Sequence, residues 1–411
     1  MAIIKKVKSK LSEFAYNNIP RNTSFKPRGY FNDFQSYFDA FPESDLEVKE
    51  VYPDLETKLR LSREFYAQFS EFTKYDKAKD VGEEQLELSC TTDYKVAIIP
   101  MGRVMTNNMS MVAVISEENY LLADVSLQYH MDRPAFGEDN IVFKRKYFPA
   151  PTFINGTVFN MLGGGGTVAN IGHWFLDAFA RIHLLKKAGL LEEVDYFLVP
   201  NFDYSYHRES FALLGIPGEK IISANEIQHF QAERLISSTH PRGVRSYLVP
   251  HWLIHFYKEA FIPKFDEEKQ FPARVYISRR DSKLRGISNE EELISFLESK
   301  GFVTYEMSKL TLIDKFNLIH QADEIVAMSG AGLIGMLTGK IGAKFLELFP
   351  RGFVHSLYYN IAVFQEMDYD YLICESAHKS ENMKAAQLED IKVDIGEVKA
   401  IVEKWTSEKE Y

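Results

Sequence analysis

From residue 194 onward, short apolar runs alternate with longer segments of helical period, and this constrains the fold more than any other feature of the chain. "VDYFLVP" reads as a buried strand and "YHRESFALLG" as a helix; "EKIIS" and "AERLISS" read as strands, and "HWLIHFYKEAF" as a helix. The polar stretch "PKFDEEKQFPA" follows and is expected to link two domains. The series then restarts with strand "RVYISRR", a helix from Asn289, strand "GFVTYEM" and a helix from about Thr311. Strand "DEIVAMS", a helix from Ala331, strand "AKFLELF", a helix near "VHSLYYNIAVF", strand "YDYLICE" and a helix around "GEVKAIVEKW" complete it. Strands alternating with helices call for βαβ units and a parallel sheet. Two such series predict an α/β chain with two Rossmann-like domains and a cleft between them.

A length of 411 residues also exceeds what one core usually supports. Between residue 94 and the first helix lies a strand-rich block: "YKVAIIP", "RVMTNN", "MVAVIS", "NYLLADVS", "NIVFKRKYF" and "TVFNML". Residues 27–88 are rich in aromatic and charged side chains, with one helical stretch expected near "LETKLRLSREFYAQFSEF". The expected division is an N-terminal extension over 1–88, an α/β domain over 89–265 and a Rossmann-like domain over 266–411. The last helix of that third segment is free to pack back on the second.

A formal charge of −10 argues against a general nucleic-acid binder, which needs clustered Lys and Arg to neutralise phosphates. Cys90 and Cys374 are the only cysteines, too few for a disulfide framework or a cysteine-based zinc site, and the count suits a reducing cytoplasm. No apolar run reaches the roughly twenty residues needed to span a bilayer. In "MAIIKKVKSKLSEFAYNNIPRN", Ile3, Val7, Leu11 and Phe14 recur at helical spacing, with Lys5, Lys6, Lys8 and Lys10 mostly on other faces. Such a helix over residues 1–16 lies either on an anionic membrane surface or, as a short solvated element, on its own domain.

Two segments invite a phosphate. "GGGGTVANIGHWFLD" (163–177) matches neither G-x-G-x-x-G nor the P-loop pattern, and it reads as a close-packed turn that delivers a helix. In "DEIVAMSGAGLIG" (323–335), an apolar strand runs into Ser329-Gly330-Ala331-Gly332 and a helix begins there. That geometry offers backbone N–H groups and the positive end of a helix dipole; a tight turn with glycines for sterics is the plainer account. Arg279, Arg280 and Arg285 lie at or just past a strand's carboxyl end, where open α/β sheets bind ligands. Guanidinium forks suit a diphosphate; a solvated loop balanced by Glu290, Glu291 and Glu292 is the alternative. Glu347, inside a strand that should be buried, needs donor partners such as ribose hydroxyls or an internal salt bridge.

Asn170, His173, Asp177 and Arg181 share one face of the helix expected over Ile171–Lys187. A His–Asp pair at i, i+4 gives an imidazole oriented by a carboxylate, a workable general base near neutral pH. The alternative is a cap at Asn170 and a surface stripe with an Asp177–Arg181 pair. His173 and Asp177 are too few ligands for a metal, so none is expected. Asp368 and Asp370 in "MDYDYL" are expected in a loop.

Four segments in order, "NIGHWFLDAFARI", "VYISRRDSKLRGISNEEEL", "EMSKLTLIDKFNLIHQADEIVAMSGAGLIGML" and "KFLELFP", resemble the family 61 glycosyltransferases, as does "GRVMTNNMSMVAVISEENYLLADVS" upstream. The resemblance covers roughly residues 94–375. It implies a GT-B fold, with two Rossmann-like domains facing a cleft, and inverting sugar transfer with no required cofactor or metal. It also implies a nucleotide-sugar donor, taken to be UDP-linked, held by the C-terminal domain. By position, Arg279, Arg280, Arg285 and the turn Ser329, Gly330, Ala331, Gly332 would face the diphosphate, and Glu347 would sit near the nucleoside. The helix with Asn170, Trp174 and Arg181 would border a glycan or lipid-linked glycan acceptor. The family often has His and Asn where this chain has Ser329 and Gly335. The reading is an inverting hexosyl- or pentosyltransferase for surface polysaccharide, capsule or lipopolysaccharide, at the cytoplasmic face of the membrane. The alternatives are a nucleotide-sugar epimerase and a non-catalytic binding subunit.

Overall fold

The computed structural model describes residues 22–70, 78–107, 111–126, 137–163, 166–225, 228–243, 247–282, 285–376 and 383–407. The basic N-terminal segment with Ile3, Val7, Leu11 and Phe14 lies outside them, as do Gly164 and Gly165. The fold is mixed α/β, in two compact units: residues 1–55 with 91–245, and residues 56–90 with 246–411. The strands, in chain order, begin with β1 (Gly29–Phe31), β2 (Glu47–Ser62), β3 (Lys79–Gly82) and β4 (Gln85–Pro100). Next come β5 (Arg103–Thr106), β6 (Val112–Ile115), β7 (Tyr120–Leu122), β8 (Thr152–Asn160), β9 (Tyr196–Val199), β10 (Ile221–Ser223) and β11 (His229–Ser238). The division between units falls within β2, after Leu55, and within β4, after Cys90.

In the first unit the sheet order is β1-β7-β6-β5-β11-β8-β9-β10, and β4 pairs with β11 as well. The sheet is mixed, not the parallel one expected. β8 runs parallel to β9 and β11, whereas β11 is antiparallel to β4 and β5, and β5, β6 and β7 alternate in direction. Connection length explains this. Only Ser116–Asn119 separate β6 from β7, closed by Asn119 N–H on the Ser116 carbonyl at 3.0 Å, and a parallel crossover needs a dozen residues or more. Both faces of β5 and β6 are buried, so these strands read as nearly continuous apolar runs. Val104, Val112 and Val114 join one core, and Met105, Ala113 and Ile115 join another.

The second unit contains β12 (Arg274–Ser278), β13 (Val303–Glu306), β14 (Glu324–Met328), β15 (Lys344–Pro350), β16 (Asp368–Ser376) and β17 (Ile391–Lys392), in the order β13-β12-β14-β15-β16-β17. The first five of that row are parallel and β17 is antiparallel. Helices Glu290–Ser299, Leu312–Gln321 and Leu357–Phe364 fill the crossovers, as expected from period. The row extends one way from β12 to β13 and the other way from β12 through β14. The reversal makes a topological switch point at the carboxyl ends of β12 and β14, the position where open α/β sheets bind ligands.

Four local readings are corrected. Leu55 and Leu59 mimic helical spacing, but Thr57, Leu59 and Leu61 are buried in strict alternation, so β2 runs on to Ser62. Ser62 then caps the short helix Arg63–Gln68 through its Oγ, which accepts from Phe65 N–H at 3.0 Å. "NIVFKRKYF" is a 3-10 turn over Ile141–Lys144, because the Asn140 side chain accepts from Val142 N–H. Asp368 and Asp370 lie in β16 rather than a loop, and Asp370 accepts from the Trp405 indole at 2.9 Å. The helix from Ala331 is a 3-10 helix, Ala331–Thr338. The stretch "PKFDEEKQFPA" lies within the second unit. Cys90 and Cys374 form no disulfide. Among the described residues no helix is long and apolar enough to cross a membrane.

Candidate active site

The switch point of the second unit begins where β12 ends. Glu290, in the first turn of helix Glu290–Ser299, accepts from the hydroxyls of Tyr276 and Ser278 at 2.7 and 2.8 Å and from Arg279 N–H at 3.0 Å. This fixes the exit of the chain and the start of the Arg279 side chain. The guanidinium of Arg279 then donates to Ser282 Oγ at 2.9 Å. It also lies against the next strand's turn, because a Cβ placed on Gly330 would sit 3.0 Å from Arg279 Nη1. Gly330 is therefore the residue that lets a guanidinium approach this backbone. Tyr358 ties the same turn down, its hydroxyl donating to the Gly330 carbonyl at 2.8 Å.

Arg285 enters from the other side. Its backbone has φ 63°, a left-handed conformation rare for a residue with a side chain. Its carbonyl accepts from Arg279 Nε at 3.4 Å, and its own Nη1 donates to the Ser329 carbonyl at 3.1 Å. The guanidinium covers the Phe353 ring, with Cζ 5.6 Å from the centroid. Burial and the neighbouring Arg279 charge push the Arg285 guanidinium down to about 10, so both arginines stay cationic at neutral pH. Arg280 is different: it turns outward and pairs with Glu291. The solvated-loop account thus describes Arg280, while Arg279 and Arg285 converge on the Ser329–Gly330 turn.

Glu347, on β15, is fully buried next to this turn. Oε2 accepts from the Tyr369 hydroxyl at 2.8 Å. Burial lifts the carboxyl to about 8, partly offset by the Ser329 and Tyr369 hydroxyls and the Arg285 charge. At neutral pH the group is therefore mostly uncharged. Three buried atoms in this group of residues have no hydrogen bond of good geometry: Arg285 Nε, Ser329 Oγ and Glu347 Oε1. Buried polar atoms are normally satisfied, so these three call for an explanation such as a bound water, an ion or a ligand. Ala331 and Gly332, half-buried, open the 3-10 helix beside them. Gly335 has a packing reason, since a Cβ there would come within 2.5 Å of the Lys315 carbonyl and 2.9 Å of Ile319. No asparagine fits at that position without displacing the helix Leu312–Gln321.

The first unit carries a separate cluster. After β8, Gly163 packs so tightly that a Cβ would lie 2.7 Å from Thr167 Cγ2. The Asn170 side chain caps the next helical turn, accepting from Gly172 and His173 N–H at 2.9 and 3.2 Å. The expected single α-helix is in fact Ile171–His173, a π-helical segment Trp174–Phe179, and α-helix Arg181–Lys187. Such wide turns are rare and recur at functional sites. Across the first join, His173 Nδ1 lies 2.6 Å from Asp177 Oδ2. The His173 side chain is 44% exposed while Asp177 is wholly buried, so Nε2 is the nitrogen left for solvent or substrate.

Arg181 does not pair with the Asp177 carboxylate. Its Nε donates to the Asp177 carbonyl at 2.9 Å, where the helix changes register, and Nη1 donates to the Ser238 carbonyl at 2.7 Å. The partner of the carboxylate is Arg242, with Nε on Oδ1 at 2.7 Å and Nη2 on Oδ2 at 2.8 Å. Burial works against the charge on Asp177, yet Arg242 and His173 outweigh it and hold the carboxyl far below its ordinary range. Trp174 is core: it is fully buried, its Nε1 donates to Ser210 Oγ at 3.1 Å, and it packs on His207. Neither Trp174 nor Arg181 presents a surface to a substrate. Sequence reasoning missed Arg242. The signal was the turn "THPRG" closing a buried strand, the same strand-end logic that singled out Arg279.

Residues 171–346 match the family model described as Glycosyltransferase 61. Over that stretch, somewhat under half of the chain, the sequence is similar to the glycosyltransferase 61 family. The match begins at the His173 helix, takes in Arg279, Arg285 and the Ser329–Gly332 turn, and ends one residue before Glu347. No curated protein matches the chain. The family is one of glycosyltransferases, enzymes that move a sugar from a donor to an acceptor.

Proposed function

We propose that the chain is an inverting glycosyltransferase of the GT-B type. It takes a nucleotide-linked sugar, UDP-linked in the first instance, and passes a hexose or pentose to a glycan or lipid-linked glycan of a surface polysaccharide or lipopolysaccharide. One observation carries the donor site: Arg279 and Arg285 lie side by side at the switch point of a parallel sheet, beside a glycine turn. Two guanidinium groups side by side, next to a mostly neutral Glu347, suit a diphosphate, whose oxygens both could bind. Ser329 Oγ, Glu347 Oε1 and Arg285 Nε then serve as further polar contacts.

In the proposed reaction an acceptor hydroxyl attacks the anomeric carbon on the face opposite the leaving group. The new C–O bond forms as the bond to the diphosphate oxygen breaks, and the hydroxyl proton passes to His173 Nε2. Asp177 orients the ring, and the two arginines stabilise the charge that develops on the nucleoside diphosphate. No metal or cofactor is required in this scheme. The sequence pattern of residues 1–16 supports peripheral contact with an anionic membrane on its cytoplasmic side. The test is a thermal-shift panel of UDP, GDP, CMP and their common sugar conjugates, with and without EDTA. Selective stabilisation by one nucleotide family, unchanged by EDTA, is expected; no shift with any of them would sink the donor-site reading.

A further inference from the structure

A carboxylate bound only to an imidazole favours the doubly protonated ring, because its negative charge stabilises the positive one. Such a ring cannot accept a proton. Asp177 is placed to have this effect on His173, yet its surroundings are arranged against it. Arg242 takes both carboxylate oxygens in a fork, which satisfies the charge before His173 adds its single bond. His240 is the third basic side chain nearby, with Nε2 3.6 Å from Oδ1. It is deeply buried, that nitrogen has no partner, and burial pushes it down to about 3, so it adds no charge. Arg181, the fourth, is committed to the carbonyls of Asp177, Ser238 and Thr239 rather than to the carboxylate.

We propose that Arg242 is a positioning residue: by taking both oxygens of Asp177 and balancing its charge, it lets that carboxylate fix the Nδ1–H tautomer of His173 and leave Nε2 open. The consequence for turnover rests on His173 being the base of the proposed reaction. The consequence for the imidazole itself does not.

Nitrogen-15 NMR of the full chain, labelled at histidine, reads the ring directly. At neutral to mildly alkaline pH the wild-type His173 should show the neutral Nδ1–H tautomer. A doubly protonated ring or the Nε2–H tautomer there would overturn the proposal without any variant. Arg242→Gln should raise the midpoint of the His173 titration by about one unit or more, and should move the acid limb of kcat/KM to higher pH by the same amount. Arg242→Lys keeps a cation on the buried carboxylate and should leave the midpoint within a few tenths of a unit. A lysine variant displaced as far as the glutamine one would overturn the charge-balancing account. If the glutamine variant does not fold, the wild-type tautomer decides. A titration that shifts while turnover ignores His173 retires His173 as base and leaves the role of Arg242 standing. An unmoved titration retires that role whatever the turnover.

Discussion

Glu347→Gln tests the charge arrangement of the proposed donor site without any substrate. Glutamine has the shape of a protonated glutamate: its amide oxygen can accept the Tyr369 hydroxyl as Oε2 does now, and its NH₂ replaces the acid's O–H. The wild-type carboxyl moves from 4.5 in the unfolded chain to about 8 in the folded protein, driven by burial. A carboxyl raised in this way contributes stability that is complete below its unfolded value. That contribution is lost as pH rises through the folded value, because the unfolded chain ionises first. At about 1.4 kcal/mol per unit, ionisation of this one group should cost the wild type about 3 kcal/mol between pH 5 and pH 8. The variant has nothing to ionise at this position. Urea unfolding, followed by the fluorescence of Trp252 and Trp405 in the second unit, measures both proteins at each pH. Their difference cancels every other titrating group. The variant should gain on the wild type across the window by that amount. Parallel stabilities, agreeing within about 0.5 kcal/mol from pH 5 to pH 8, would mean that Glu347 is ionised when folded. Arg285 would then have its counter-charge already, and the case for an anionic ligand would fail.

Two further outcomes follow from the same geometry. His173→Ala should lower turnover about 100-fold or more while leaving nucleotide binding unchanged by calorimetry, since the residue belongs to the first unit and the proposed donor contacts to the second; unaltered turnover would remove it from the mechanism. Calorimetry with the preferred nucleotide should show that Arg279→Ala and Arg285→Ala each weaken binding at least tenfold, a loss of about 1.4 kcal/mol or more, whereas Arg280→Ala, whose guanidinium faces Glu291, should change it less than threefold; equal losses at all three would contradict the inward and outward division of the arginines.

Period alone sufficed where each segment buries one kind of face. Strands β8 to β16 and the helices Ser205–Leu213, His251–Phe261, Glu290–Ser299, Leu312–Gln321 and Leu357–Phe364 are legible because their apolar positions are either continuous or spaced at a helical turn. It misled where a few residues satisfy two patterns at once. Leu55 and Leu59 fit a helix, but Thr57, Leu59 and Leu61 alternate, and the alternation prevailed because the strand already had a ladder partner in β4. The mixed sheet of the first unit is not legible from period for another reason: pairing direction depends on connection length, and in "MVAVISEENYLLAD" the short turn between the runs carries that information, not the runs themselves.

The two clusters show why a residue list is harder to read from sequence than a fold. Arg279, Arg280 and Arg285 look equivalent in "SRRDSKLRG", yet the strand's exit, fixed by Glu290, turns the first inward and leaves the second beside Glu291. The face shared by Asn170, His173, Asp177 and Arg181 was real on paper, but the π-helical turns break it. Asn170 becomes a cap, Arg181 a brace between the helix and β11, and only the His173–Asp177 contact survives as expected. The carboxylate's main partner, Arg242, comes from a turn sixty-five residues downstream. Side chains that meet at the carboxyl ends of neighbouring strands need no fixed spacing in sequence. The rule that ligands bind there therefore applies to every strand end, and the "THPRG" turn after β11 had the same claim on attention as the arginines after β12.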